Sequence, residues 1–354
     1  MTAPPTTTWL PLDAYGAIGD MQTLALSSRT GSIDWWCWPR FDAPSVFGRL
    51  LDADGGHWQI EPVDEPTAVR HLYLPGTNVL LTRFHSDESV VEVEDYLVIG
   101  GPRRLARRVT CQRGTTTMRV VIAPRPDYGR AEVDLTAEDG AWRLDVGHGE
   151  RLWFGADVEL GLEPDGSRLV AEFEIGEGET VAFVAGESPD LDDDCGYRRT
   201  VDFWREWIGR STYRGRWREA VERSALALKL LTHDESGGLL AAGTTSLPEA
   251  VGGERNYDYR YVWIRDAAFT LYALLELGFR DEADAFTAWL LARLDGDAAA
   301  PAFGPLAPLY DLDGSAELDE RTLDHWSGYR GSAPVRVGNA ASDQFQLDIY
   351  GELV

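Results

Sequence analysis

The sequence predicts a multidomain chain, β first and α second: an N-terminal antiparallel β-sandwich followed by a layered helical domain. Three observations carry this. Up to about residue 195 the chain runs in short β-rich segments punctuated by Gly and Asp turns. No helical period appears before about residue 200. Beyond Trp217, side chains of one face recur every three or four positions.

In the first half, TNVLLTRF and VVEVEDYLVI flank the turn-rich HSDES and predict a hairpin. RLARRVTCQ and TTTMRVVIA flank RGT in the same way and predict a second one. RLWFGADVELGL, SRLVAEFEI and ETVAFVAG follow, separated by EPDG and GEGE. Short strands at this spacing argue for an antiparallel sandwich. Trp35, Trp36 and Trp38 are assigned to its core. Pro39-Arg40-Phe41-Asp42 reads as core and turn, with a reach to the rim of a site as the alternative.

The stretch TVDFWREWIGRSTYRGRW reads as a connector, partly helical. Val221, Ser224, Ala225, Leu228 and Leu231 then mark one face of an amphipathic helix, ended by the polar HDESGG. From Ala267 to Leu277 only Thr270 and Glu276 break an apolar run. A helix apolar nearly all round is expected to be buried on all sides. Gly278 fits the residue that closes that helix. Asp281 opens another, with Ala283, Phe286, Leu290, Leu291 and Leu294 on one face. A Gly/Pro/Asp-rich excursion covers 295–338, and a last helix is expected from near Asn339. Alternating buried and amphipathic helices predict two concentric layers.

The 354 residues include 33 basic and 59 acidic ones, a net charge of −26, and Lys229 is the only lysine. An acidic chain with no basic tract argues against nucleic acid and anionic membrane as partners. The three cysteines (Cys37, Cys111, Cys195) form no disulfide framework and read as small buried hydrophobes. The six histidines are scattered, without HxxxH or CxxC spacing, so a histidine- or thiolate-ligated metal is not expected, and no metal or cofactor is assigned. The N-terminus has no signal-peptide pattern and no run of about 18 apolar residues exists, which points to a cytoplasmic protein.

The chemistry concentrates in RNYDYRYVWIRDAAFTLYALLELGF, residues 255–279. Trp263, Arg265 and Asp266 stand together at the mouth of the apolar helix. Arg offers a rigid fork of donors, Asp accepts from hydroxyls, and an indole is an apolar platform. That grouping suits a polyhydroxylated ligand such as a sugar. A helix cap explains Asp266 as well on these grounds, because Asp favours N-termini and complements the helix dipole.

The wider string TTSLPEAVGGERNYDYRYVWIRDAAF (244–269) resembles the hallmark of glycoside hydrolase family 15, which holds glucoamylases and α,α-trehalases. GYRGSAPVRVGNAASDQFQLDIYGE (328–352) continues the resemblance. YGAIGDMQTLALSSRTGSIDWWCWPRFDAPSVFGRLLD (15–52) is similar to the N-terminal domain of trehalase-like members. Tyr257, where the family usually shows Trp, and Asp311, where Gly is usual, depart from the pattern.

The resemblance implies residues 1–197 as a trehalase-like β-sandwich domain, 198–214 as a linker, and 215–354 as the first part of an α/α toroid, a six-hairpin barrel left incomplete. It implies an exo-acting, inverting hydrolase of α-glucosidic bonds that releases glucose from trehalose or a malto-oligosaccharide. By the same resemblance Arg265 and Asp266 hold hydroxyls of the terminal glucose, Trp263 is the aromatic ahead of them, and Tyr329 is a candidate wall of the pocket. The general acid and base, both Glu, are expected beyond Val354, so no catalytic carboxylate is assigned within this chain. Asp258, Glu249 and Asp348 are unassigned carboxylates in the same half. The chain alone is expected to be inactive, and its unfinished helical layer favours aggregation or a homo-oligomer. A glucan or disaccharide phosphorylase and a non-catalytic carbohydrate-binding fragment are the alternatives.

Overall fold

A computed structural model describes residues 9–147, 149–191, 194–294 and 306–352. The first half is two eight-stranded antiparallel sheets. In one, the lateral order is Tyr15–Gly19, Leu24–Ser28, Ser32–Cys37, His57–Pro62, Thr115–Ala123, Leu169–Gly176 and Gly161–Leu162, with Ser45–Phe47 beside Ser32–Cys37. In the other it is Leu135–Glu138, Ala141–Gly147, Glu150–Ala156, Thr180–Gly186, Arg104–Arg113, Val90–Leu97, Leu80–His85 and Ala68–Tyr73.

The strand Ser32–Cys37 is buried on both faces, because successive side chains point to opposite sides. Trp36 joins Trp58, Val120, Val109 and Phe154 in an apolar core shared by the two sheets. Trp35 faces the other way, into a second core built with the helices, and its indole N–H donates to Gly243 O at 2.9 Å. The three tryptophans therefore do not share one core: Trp36 and Trp38 lie between the sheets, and Trp35 on the helical side.

The hairpin around HSDES forms, Leu80–His85 pairing with Val90–Leu97. The second one does not. Arg104–Arg113 pairs with Val90–Leu97 and Thr180–Gly186, whereas Thr115–Ala123 lies in the other sheet between His57–Pro62 and Leu169–Gly176. The chain crosses between sheets at Gly114. This residue has φ +74°, and a Cβ there would lie 2.0 Å from Glu88 O. Only glycine fits that approach.

Among the described residues five α-helices follow: α1 (Tyr197–Gly209), α2 (Arg218–Leu230), α3 (Ile264–Glu276), α4 (Asp281–Leu294) and α5 (Asp348–Glu352). The stretch read as a connector holds most of α1, whose Trp204 and Trp207 are buried in the helical core. The buried face of α2 is rotated from the expected one: Ala225, Leu226, Lys229 and Leu230 point inward and Ser224 outward. Lys229 tolerates burial because Glu282 of α4 meets its ammonium at 3.0 Å. In α4 the inward face is Ala283, Phe286 and Trp289, while Leu291 is exposed. The side chain of Leu294 lies outside the described residues.

Helix α3 departs most from expectation. Ile264, Ala267 and Leu274 are buried, but Phe269 is 63% exposed, Tyr272 68%, and Leu275 is exposed too. It ends as expected, with Gly278 at φ +95° and paired bonds from Gly278 N to Leu275 O and Phe279 N to Leu274 O, the Schellman pattern. No α-helix starts at Asn339. Its side chain caps a single 3-10 turn over Ala340–Asp343, and the α-helix begins only at Asp348. Cys37, Cys111 and Cys195 are all buried. Burial pushes the Cys37 thiol up to about 11, against the opposing pull of Arg260. No helix among the described residues is long and apolar enough to cross a membrane.

Candidate functional site

The segment from Asn256 to Arg260 alternates inward and outward, as extended chain does. The polar residues Asn256, Asp258 and Arg260 are the buried set. Tyr257 and Tyr259 face outward and are only partly covered. The chain then pairs briefly, Val262–Trp263 against Leu309–Tyr310, before turning into α3. Trp263 is the residue that precedes the helix and is buried, and its indole N–H has no hydrogen-bond partner among the described residues.

Arg265 and Asp266 follow in the first turn of α3. Arg265 donates to Asp266 Oδ2 at 3.1 Å, and its guanidinium stands 5.4 Å from the centre of the Trp263 ring. Asp266 makes no cap: α3 has no side-chain cap bond at its N-terminus, and the Asp266 carboxylate turns to Arg265 instead. An acid in the first turn also lies at the positive end of the helix dipole. The other side of the guanidinium meets Asp348 Oδ2 at 3.5 Å. The structure thus groups Trp263, Arg265, Asp266 and Asp348.

Tyr259 belongs to this group and was missed in the sequence. Its ring lies 5.8 Å from that of Trp263. Burial raises the pKa of its hydroxyl, and the charges of Glu249 and Asp266 add to the rise while Arg265 opposes it. The available signal was the repeat of rings at 257, 259 and 261, every second residue of an extended chain.

Tyr329 is placed elsewhere. It is buried, its hydroxyl donates to Leu10 O at 2.9 Å, and it packs edge-on to Trp9 at 5.8 Å. These contacts tie it to the N-terminal segment and not to Arg265. Asp258 is fully buried and ion-paired to Arg260 at 2.7 Å, and Glu249 pairs with the exposed Arg255. Arg40 joins the halves of the chain, with bonds to Asp42 and a two-pronged one to Asp313 at 2.9 and 3.0 Å. Its neighbour Phe41 is core. Asp311 caps the turn after Tyr310, accepting from Ser315 N at 2.7 Å. Among the described residues no group of three or more His, Cys, Asp or Glu is arranged to hold a metal ion.

This arrangement sets an aromatic ring, a cation held from two sides and partly exposed carboxylate oxygens side by side, donors and acceptors of the kind that can pair with hydroxyls. Residues 215–354 match the family model described as glycosyl hydrolases family 15, and residues 7–184 match the trehalase-like N-terminal domain. The chain is 34% identical to a trehalase of Mycolicibacterium smegmatis, covering 97% of this chain and 56% of that protein. It is 35% identical to a trehalase of Mycobacterium tuberculosis, covering 97% and 55%. With trehalase 1 of Sulfolobus acidocaldarius identity is 37%, covering 98% and 59%. The chain thus spans little more than half the length of these curated relatives. It belongs to the trehalase-like family in which this N-terminal domain is followed by a glycosyl hydrolases family 15 segment.

Proposed function

We propose that the protein hydrolyses terminal α-glucosidic bonds with inversion, with trehalose ahead of malto-oligosaccharides as substrate. The observation that carries this is the Arg265 guanidinium, held by Asp266 over Trp263 at the mouth of α3. In this reading Arg265 and Asp266 grip hydroxyls of the terminal glucose while Trp263 and Tyr259 wall its apolar face. The names of the curated relatives support trehalose. The two sheets are then the sandwich of residues 1–197, and α2 to α5 belong to an α/α toroid. Tyr329 serves as a brace for the N-terminal segment. An inverting hydrolysis also needs a carboxylic acid and a carboxylate ~6.5–9.5 Å apart, and the reading assigns neither to a residue of this chain.

Proton NMR of the anomeric signals during turnover tests it. The full-length gene product, given maltose, should release β-glucose first from the non-reducing end, in phosphate-free buffer. Release of α-glucose, or glucose 1-phosphate formed only with phosphate, would replace the reading with retention or phosphorolysis.

A further inference from the structure

We propose that Asp348 is a positioning residue for Arg265, a second carboxylate that fixes the guanidinium for sugar binding. The proposal rests on the sugar-anchoring reading above. Two observations place Asp348 there. First, Arg265 lies between two carboxylates, with one nitrogen on Asp266 Oδ2 at 3.1 Å and another on Asp348 Oδ2 at 3.5 Å. Second, α5 packs on α3, and the next residue, Ile349, is buried in the helical core. That anchor holds the Asp348 backbone in place although 83 residues separate it from Arg265.

The three side chains are 39%, 44% and 48% exposed, so this is not a fold-holding ion pair. Exposed pairs of this kind contribute little to stability. Their effect is on direction. An arginine side chain has many rotamers, and fixing it beforehand removes the entropy a ligand must otherwise overcome. With only Asp266 as partner the guanidinium can swing about that contact. With Asp348 opposite, it stays over Trp263. The hydrogens not used by the two carboxylates are then fixed in direction for a ligand's oxygen atoms.

The experiment uses the full-length gene product with Asp348→Asn, Asp348→Glu, Asp266→Asn and the Asp266→Asn/Asp348→Asn double variant. Crystal structures give the position of Arg265, and initial rates on trehalose separate KM from kcat. Asp348→Asn should leave the melting temperature unchanged, turn the guanidinium off the Trp263 ring and raise KM about three- to tenfold, with kcat changing less. Asp348→Glu should restore most of the binding. The double variant should lose less than the product of the single losses, because both act on one guanidinium. An Arg265 that stays in place in Asp348→Asn, or two losses that multiply independently, would overturn the proposal. If Arg265 swings while the unaltered protein neither binds nor cleaves trehalose, the positioning role stands and the sugar reading fails.

Discussion

Arg260 and Asp258 form a fully buried ion pair that also fastens the helical half of the molecule to the β half. Arg260 donates to both oxygens of Asp258 at 2.9 and 2.7 Å, then to Ala43 O at 2.9 Å and the Tyr128 hydroxyl at 2.8 Å. Asp258 is held in turn by Gly338 N and, through its carbonyl, by the Asn339 amide. The segment so fixed leads, three residues on, to Trp263. The β half therefore sets the position from which α3 presents Arg265 and Asp266.

Arg260→Met should cost about 3–5 kcal/mol, because it leaves the Asp258 carboxylate buried without its partner. Urea unfolding monitored by tryptophan fluorescence measures this. Arg260→Met/Asp258→Leu should recover part of the loss, since an apolar pair carries no stranded charge. A single-variant loss below about 1 kcal/mol would mean that the pair does not hold the two halves together.

Gly338→Ala should be costly at a position with no side chain of its own. Gly338 has φ +79°, and an added Cβ would lie 2.0 Å from Asp319 O. Strain in this region is worth about 1–3 kcal/mol, and moving the backbone would also stretch the bond to Asp258. A melting temperature equal to that of the unaltered protein would contradict this.

What the sequence disclosed follows from how local each feature is. The HSDES hairpin was legible because its turn and both strands are contiguous. The crossing at Gly114 was not, because a tight turn between two strands looks the same within a sheet and between sheets. The inward set Asn256, Asp258 and Arg260 was hidden because polar residues in alternation with tyrosines read as the solvent face. Arg265 and Asp266 were legible as a pair of adjacent polar residues opening an apolar helix. Their link to Asp348 is a tertiary contact that no local pattern contains. The expected burial of α3 failed because an apolar composition states what a helix can bury, and the partners available decide what it does bury.

Asp20 gives a pH dependence of unusual sign for an acid. It is buried, one of its oxygens has no partner among the described residues, and burial raises its pKa from 3.8 to about 6, despite backbone bonds from Thr23 and Gln22. The folded state then holds a proton that the unfolded chain releases near 3.8, so this group favours folding below pH 4 and loses that contribution as pH rises through 6. The difference amounts to about 3 kcal/mol. Asp20→Asn should flatten that fall when its unfolding free energy is compared with the unaltered protein's at pH 4 and pH 7. An equal slope in both proteins would show that folding does not raise the pKa of Asp20.

The outward rings of α3 should govern solution behaviour of the 354-residue chain. Phe269 and Tyr272 lie one turn apart on that exposed face. Apolar patches of this kind drive association. Phe269→Ser/Tyr272→Ser should reduce the self-associated fraction seen by light scattering, with a change in stability within about 0.5 kcal/mol. A chain that is monomeric before the substitutions would refute this.

Asp266→Asn in the full-length gene product tests whether the mouth of α3 anchors the terminal sugar. Asparagine keeps the size and replaces a charged acceptor with a weaker one. Loss of a charge-assisted hydrogen bond of about 1.5–3 kcal/mol should lower kcat/KM on trehalose roughly ten- to a hundredfold, in a variant with unchanged melting temperature. An unchanged kcat/KM on both trehalose and maltose would remove Asp266 from the site and leave the mouth of α3 without a role in holding the sugar.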